Sequence, residues 1–479
     1  MPERRTMLTY SFENIGTQSL FTHLYECIRN DVISGNLAPG TRLPSKRMFA
    51  KNLGISTITV ENAYAQLIAE GYLYSIPKKG YYVQDISSFA AGQGQEEALA
   101  PVPKAAPEPE APKYFADFVT NQVRPENFPF STWSRLMREA LVSRREQLLA
   151  NPPFEGVPEL RAAIASHLHA FHGISVSPEQ VVIGAGTEYL YGLLIQLLGR
   201  ERKYAMEDPG YRKIAQVYDS FGVRYAPVSM DANGIRTEEL RDRGIDVVHI
   251  TPSHHFPTGI TMPVSRRYEL LEWARQSRDR YIIEDDYDSE FRLRGKPIPT
   301  LLSMDRKGKV IYMNTFTKTL ASTIRIAYMV LPEHLLAAFR EHLSFYSCSV
   351  SSFEQYTLAA FIESGGFERH INRMRSDYRK KRDALLSLIR ESGLSRYATV
   401  SEQDAGLHFL LKFNTKLSDQ TLADRAAARG IRLSPLRNYY YDSSRVPEGL
   451  EHTFVINYTS VDEAAAAKAL PILAQIIRE

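Results

Sequence analysis

Through the first 85 residues, apolar side chains recur with the period of a helix. Leu20, Phe21, Leu24, Ile28 and Val32 share one face, and Gly35 follows as a stop. PSKRMFAKNLG predicts a short second helix with Ser45 as its N-cap. Val60, Ala63, Tyr64, Leu67 and Ile68 keep i, i+3, i+4 spacing in a third helix, capped by Ser56 and ended by Gly71. YLYSIPKKGYYV then reads as two short strands around a PKKG turn. Three helices and a basic-tipped hairpin make a winged helix-turn-helix, whose third helix fits the major groove of double-stranded DNA.

Candidate DNA contacts follow from that placement. Ser56, Thr57, Thr59, Glu61 and Asn62 lie on the polar face or at the start of the third helix. Ser45, Lys46 and Arg47 open the second, where amide N–H groups suit a phosphate, and Lys78 and Lys79 form the wing tip. A small helical protein-interaction domain with a solvated polar face is the competing reading.

The pattern then breaks. Residues 86–113, ISSFAAGQGQEEALAPVPKAAPEPEAPK, hold almost nothing large and apolar, so they predict an extended linker between a domain over 1–85 and one over 114–479. Beyond it, short runs such as QVVIGAG, RKYAMED, VRYAPV, DVVHITPS, RYIIEDDY, KVIYMNT and IRIAYMVL alternate with longer helical patterns. Several are apolar throughout, as when helices cover both faces of a sheet. The expectation is an α/β domain with a mostly parallel sheet, a small α+β subdomain from about 345 to 479, and a ligand site beyond the strand ends.

Composition narrows the class. A chain of 479 residues exceeds one core, and 44% hydrophobic with 24% charged residues is ordinary for a globular protein. A net charge of +3 gives no global basic field, so a nucleic-acid site has to be a local patch. Cys27 and Cys348 lie far apart without metal-ligand spacing and read as structural thiols of a reducing compartment. Neither an apolar leader nor an 18-residue apolar run occurs, so a cytoplasmic protein without a membrane partner is expected.

Polar residues gather just past the predicted strands. GAGTEYL opens a helix after one strand, IIEDDYDSEF follows a second, and NTFTKTLASTIR follows a third. Each alone is weak evidence: a strand-to-helix turn, a capping or Mg²⁺-binding aspartate pair, a solvated lysine. Together they supply what pyridoxal 5'-phosphate needs: an amine for its aldehyde, a carboxylate for its pyridine nitrogen, a phenol for its ring oxygen, and a glycine-rich cradle for its phosphate.

Two resemblances carry this further. LAPGTRLPSKRMFAKNLGISTITVENAYAQLIAEGYLYSIPKKGYYV resembles the DNA-binding domain of GntR-type bacterial regulators, although Thr57 stands where that family commonly has an arginine. Residues 115–479 resemble the fold-type I, pyridoxal-phosphate-dependent aminotransferases. The resemblance implies Lys318 as the Schiff-base lysine, Asp285 at the pyridine nitrogen, Tyr287 at the ring oxygen and Tyr211 stacked on the ring. It also implies Gly186, Thr187, Thr315, Thr317 and Arg325 as phosphate ligands.

The two parts joined by a linker resemble the MocR subfamily, with close matches in AEGYLY, IGAGT, AMEDPGYR, TPSHHFPTG, MPVSRR, YIIEDDYDSEF and AGLHF. That subfamily implies a homodimeric regulator that senses a small amino acid, or vitamin B6 itself, through an external aldimine; the alternative is a working aminotransferase with an accessory DNA-binding domain. Two departures weigh against more than weak transamination. Phe256 replaces the asparagine that precedes Pro-Thr-Gly in aminotransferases, and Ser460 replaces the arginine that clamps a substrate carboxylate. Lys213 stands where GABA-responsive members have a second effector-contacting arginine, so γ-aminobutyrate is disfavoured and a small α- or D-amino acid is expected. Arg212, Lys213, Arg432 and Arg437 are the candidate substitute cations.

Overall fold

The computed structural model describes residues 8–12, 18–86, 113–293, 298–404, 406–442 and 446–479. It divides into two compact units, 1–111 and 112–479. The linker predicted over 86–113 lies almost wholly outside the described residues.

In the first unit, α1 (Leu20–Ile33), α2 (Lys46–Leu53) and α3 (Thr57–Ala69) share one core with an antiparallel sheet. That sheet runs in the order β1 (Arg42–Leu43), β3 (Gly80–Val83), β2 (Leu73–Ile76). Each helix starts on a serine whose hydroxyl accepts a backbone N–H: Ser19 from Thr22, Ser45 from Met48 and Ser56 from Thr59. Leu24, Ile28, Val60, Ala63, Tyr64 and Leu67 are fully buried. Leu20 departs from the expected buried face, because the helix begins there and its side chain points to solvent. The Tyr64 hydroxyl donates to the Pro44 carbonyl at 3.0 Å, tying α3 to the turn before α2.

The second unit opens with β4 (Ala116–Asp117) and is built on an eight-stranded sheet. Its order is β5 (Val181–Gly184), β12 (Ala327–Val330), β11 (Val310–Thr315), β10 (Tyr281–Asp285), β9 (Val247–Ile250), β6 (Lys203–Asp208), β7 (Arg224–Asp231), β8 (Gly234–Ile235). Strands β7, β6, β9, β10 and β11 pair in parallel, whereas β12 runs antiparallel to both β11 and β5. Every residue of β9, β10 and β11 is buried. Alternate residues enter different cores, Ile282 and Val310 on one face, Ile283 and Ile311 on the other, which is why these strands read as unbroken apolar runs.

A second, antiparallel sheet follows in the order β13 (Ala398–Ser401), β14 (His408–Phe413), β17 (Thr453–Asn457), β16 (Ser434–Pro435). It packs with the helices Gly366–Glu391 and Glu463–Arg478 through Ile371, Ile389, Phe409, Phe454, Leu470 and Leu473. β4 pairs with β15 (Ile431–Arg432), bringing the start of this unit against its end. Among the described residues, no helix is long and apolar enough to cross a membrane.

The register of the large sheet positions the chemistry. Asp285 lies beside Met313 of β11, Thr315 beside Ala327 of β12, and Ala327 beside Gly184 of β5. The segments that follow β11 and β5 and the one that enters β12, carrying Lys318, Gly186 and Arg325, therefore lie at one end of the sheet. For the first unit, Leu67→Ala leaves a cavity in a fully buried position. It should cost about 2–5 kcal/mol, read as faster hydrogen exchange throughout α1 and α3.

Candidate cofactor site and DNA-binding face

Strand β10 ends in Asp285, and its carboxylate is only partly satisfied. The Tyr191 hydroxyl donates to Oδ2 at 2.5 Å and His249 Nε2 lies 3.6 Å away, while Oδ1 has no hydrogen-bond partner. Burial pushes the Tyr191 phenol well above its ordinary value, with the Asp285 charge adding to the effect, so the phenol keeps its proton for that bond. A buried, half-open carboxylate costs free energy unless a donor meets it. A protonated ring nitrogen is such a donor.

Two residues on, the Tyr287 hydroxyl lies 3.3 Å from His254 Nδ1, which itself is 2.9 Å from Asp288 Oδ2. Burial and then the Asp288 and Asp285 charges raise the Tyr287 phenol, which stays protonated at neutral pH. Gly406 keeps this cluster close: a Cβ there would lie 1.9 Å from His254 Cε1. Lys318 follows β11, with Nζ 3.3 Å from the Asn121 carbonyl. Burial lowers its proton affinity and Asp288 works against that, leaving an amine nearer to its neutral, nucleophilic form than a surface lysine.

The cradle is built from three segments. Gly186, at φ 94°, precedes the helix Thr187–Leu198 and adopts a backbone that side chains avoid. Arg325, itself left-handed at φ 54°, donates from Nη2 to the Ala185 carbonyl at 3.3 Å and to Glu188 Oε2 at 2.8 Å. Thr315 and Thr317 pair through their hydroxyls at 2.8 Å. Lys213 bonds the other Glu188 oxygen at 2.7 Å. Tyr211, 42% exposed, holds its ring edge-on to Phe256 at 6.3 Å.

The Ser460 hydroxyl donates to the Thr120 carbonyl at 2.6 Å, and its own carbonyl takes Arg124 Nη2 at 3.4 Å. The candidate substitute cations have other partners: Arg432 meets Asp117 at 3.2 Å, and Arg212 donates to the Asn438 carbonyl at 3.0 Å. Sequence reasoning missed Glu188, Tyr191, His249, His254 and Asp288. The run IIEDDYDSEF and the doubled histidine of TPSHHFPTG were the available signals for the last two.

On the first unit, Arg47, Thr57, Asn62, Lys78 and Lys79 are exposed. Lys46 is instead engaged with Glu61 at 2.5 Å, and the Ser56 and Thr59 hydroxyls are spent on each other at 2.8 Å, with Thr59 half-buried. Ser45 caps α2. Ile58, 69% exposed near the start of α3, is an apolar group suited to a thymine methyl that polarity-based reading passed over.

Comparison with known proteins decides what this combination is. Residues 118–467 match the family model of class I and II aminotransferases, and 20–83 match that of bacterial regulatory proteins of the gntR family. The probable rhizopine catabolism regulatory protein MocR of Rhizobium meliloti is 34% identical, over 88% of this chain and 87% of its own. The chain belongs to the MocR-type GntR regulators. Another relative, the HTH-type transcriptional regulator YdeL of Bacillus subtilis, is 36% identical over 88% of this chain and 90% of its own. The multiple substrate aminotransferase of Thermococcus profundus superposes on 77% of the chain and 92% of its own, with TM-score 0.67 and 26% identity.

A MocR-type regulator thus joins a DNA-binding unit to an aminotransferase fold, whose cofactor is pyridoxal phosphate. The donor set fits that group: an open oxygen on buried Asp285, a half-buried amine at Lys318, and an arginine fork over Gly186 so close that a Cβ would lie 2.3 Å from Nη2. Because Asp288 holds the Lys318 proton affinity up against burial, Asp288→Asn should lower it further. The expected readout is a lower midpoint in the pH dependence of Lys318 acetylation, followed by mass spectrometry.

Proposed function

We propose that this protein is a cytoplasmic, homodimeric transcriptional regulator whose domain over 114–479 senses a small amino acid through bound pyridoxal phosphate and alters how the domain over 1–85 holds its operator. The observation that carries this reading is a pairing. The Lys318, Asp285 and Tyr287 set is intact, while Ser460, bonded to the Thr120 carbonyl, stands where catalysis calls for a cationic clamp. Binding chemistry is kept and substrate positioning is reduced.

When bound, pyridoxal phosphate supplies an aldehyde that condenses with amines and a ring that withdraws electrons. Lys318, whose proton affinity is lowered by burial, would be the residue that holds that aldehyde, and an effector amine would compete with it there. Asp285, with Oδ1 open, would accept a hydrogen bond from the protonated ring nitrogen, while the Tyr191 hydroxyl holds Oδ2. Tyr287, bonded to a His254 that Asp288 anchors, would meet the ring oxygen. Gly186, Thr187, Thr315, Thr317 and Arg325 would hold the phosphate, and Tyr211 would cover the ring. Lys213 and the wall around Ser460 choose the effector's carboxylate geometry, which favours a small α- or D-amino acid over γ-aminobutyrate. Effector binding shifts the protein between arrangements that hold DNA differently.

Dimerisation is supported by large apolar side chains left on the second unit's surface, among them Phe130, Val142, Leu149 and Phe345. Two copies present two winged helices to two half-sites, with residues 86–113 setting their reach. Arg47, Lys78 and Lys79 contact phosphates, while Thr57 and Asn62 of α3 meet base edges, with Ser45 and Ser56 holding the helix ends that Lys46 and Thr59 flank.

Two measurements test this. Arg47→Ala and Lys79→Ala should each weaken DNA binding across all sequences and reduce the salt slope by about one unit per lost phosphate contact. A panel of L- and D-amino acids should change the visible spectrum for one compound, and the same compound should change operator affinity. Both responses should vanish in Lys318→Ala. Steady keto-acid release at enzymatic turnover would instead establish the aminotransferase reading, and unchanged effector-dependent DNA binding in Lys318→Ala would break the coupling.

A further inference from the structure

The phosphate cradle already contains an anion. Glu188 lies in the first turn of the helix Thr187–Leu198, with one oxygen 2.8 Å from Arg325 Nη2 and the other 2.7 Å from Lys213 Nζ. Its carboxylate oxygen would lie 3.0 Å from a Cβ placed on Gly186, so it shares the space over that glycine with the guanidinium. Burial raises this carboxyl, but the two cations outweigh it and hold it down at about 2, so it is charged throughout the physiological range.

This inference rests on the proposed phosphate-binding role of Gly186 and Arg325. We propose that Glu188 is a built-in competitor of the cofactor's phosphate for Arg325, weakening cofactor binding so that site occupancy follows cofactor concentration. A phosphate is a dianionic acceptor of arginine forks, and Nη2 cannot serve both anions with the same hydrogens. Turning Arg325 toward the phosphate strips Glu188 of one partner and brings like charges together. Lys213 is the compensating group: its bond is to the other oxygen, and it retains the carboxylate when the guanidinium leaves. The protein would then register vitamin B6 status through the same cleft that takes an amino acid, with Glu188 and Lys213 setting the threshold.

The test is a titration of the full-length, cofactor-stripped chain with pyridoxal phosphate and, separately, with unphosphorylated pyridoxal, followed by the Lys318-dependent visible band. Glu188→Gln, nearly isosteric, should bind pyridoxal phosphate at least about tenfold tighter, ~1.4 kcal/mol, with pyridoxal unchanged. Lys213→Met should weaken pyridoxal phosphate alone, and that loss should disappear when combined with Glu188→Gln. Equal or weaker pyridoxal phosphate binding in Glu188→Gln, or an equal gain for pyridoxal, would overturn the competition. If Glu188→Gln does not fold, Lys213→Met decides by the same contrast: selective weakening supports the proposal and no change rejects it. Failure of both aldehydes to give a Lys318-dependent band would instead sink the cofactor-site reading and this inference with it.

Discussion

The second unit depends on how it disposes of carboxyl groups at the end of one buried strand. Glu284, Asp285, Asp286, Asp288 and Glu290 are all buried within seven positions. Each needs a donor, a cation or a proton, because an uncompensated charge in a low dielectric is very costly. Glu284 is pushed up to about 7 by burial and opposed by Arg267, and it accepts the Leu301 and Leu302 N–H groups. Asp286 accepts from the Tyr312 and Ser289 hydroxyls, and Asp288 meets His254. Glu290, pushed up to about 8 by burial and by Asp286, keeps its proton at neutral pH. Asp286 Oδ1 and Glu290 Oε2 also lack a partner, as does Asp285 Oδ1, but Asp285 is the carboxylate at the end of β10 whose other oxygen is fixed by Tyr191. A site for a cationic nitrogen follows from that arithmetic.

The same constraint reaches Lys318. Burial lowers the proton affinity of the amine, and Asp288 supplies the opposing charge. The Asp288 carboxylate is in turn held by a histidine 34 residues away, which also touches Tyr287. Acid, phenol and amine are therefore not independent parts: shifting His254 disturbs all three. Gly406 matters for that reason, since any side chain there would displace the imidazole.

Much of this was legible in the sequence, and the boundary of legibility has a physical cause. Helical periodicity around Val60, Tyr64 and Leu67 and the unbroken apolar runs of β9, β10 and β11 record burial by neighbours close in register, so they could be read locally. Lys318 stood out because a threonine-flanked lysine after such a run is chemically unusual. Pairings between distant segments left no such trace. Nothing about Glu188 announces partners at Lys213 and Arg325, 25 and 137 residues on. The Lys46–Glu61 bond likewise joins two helices, and neither segment alone announces it. Exposure of Ile58 also runs against pattern, since apolar residues in a helix are ordinarily assigned to the core.

The cations around the cleft bear on what kind of effector suits it. Arg432 is matched to Asp117, Arg212 to a carbonyl and to the face of Tyr441, and Lys213 to Glu188. A carboxylate arriving in the cleft would have to recruit one of these from an existing partner, and Lys213 is a point charge without the fork that fixes a carboxylate's orientation. On the proposed sensing role, recognition would lean on the amine at Lys318 and on shape against Tyr211 and Phe256 more than on a bidentate grip at the far end of the ligand. Such a site would discriminate by length and chirality near the amine while holding the acid less tightly than a bidentate clamp does. Loose placement is poor for proton transfer, which needs reacting atoms held in near-attack geometry, but it is sufficient for a ligand that only has to stabilise one arrangement of the protein over another.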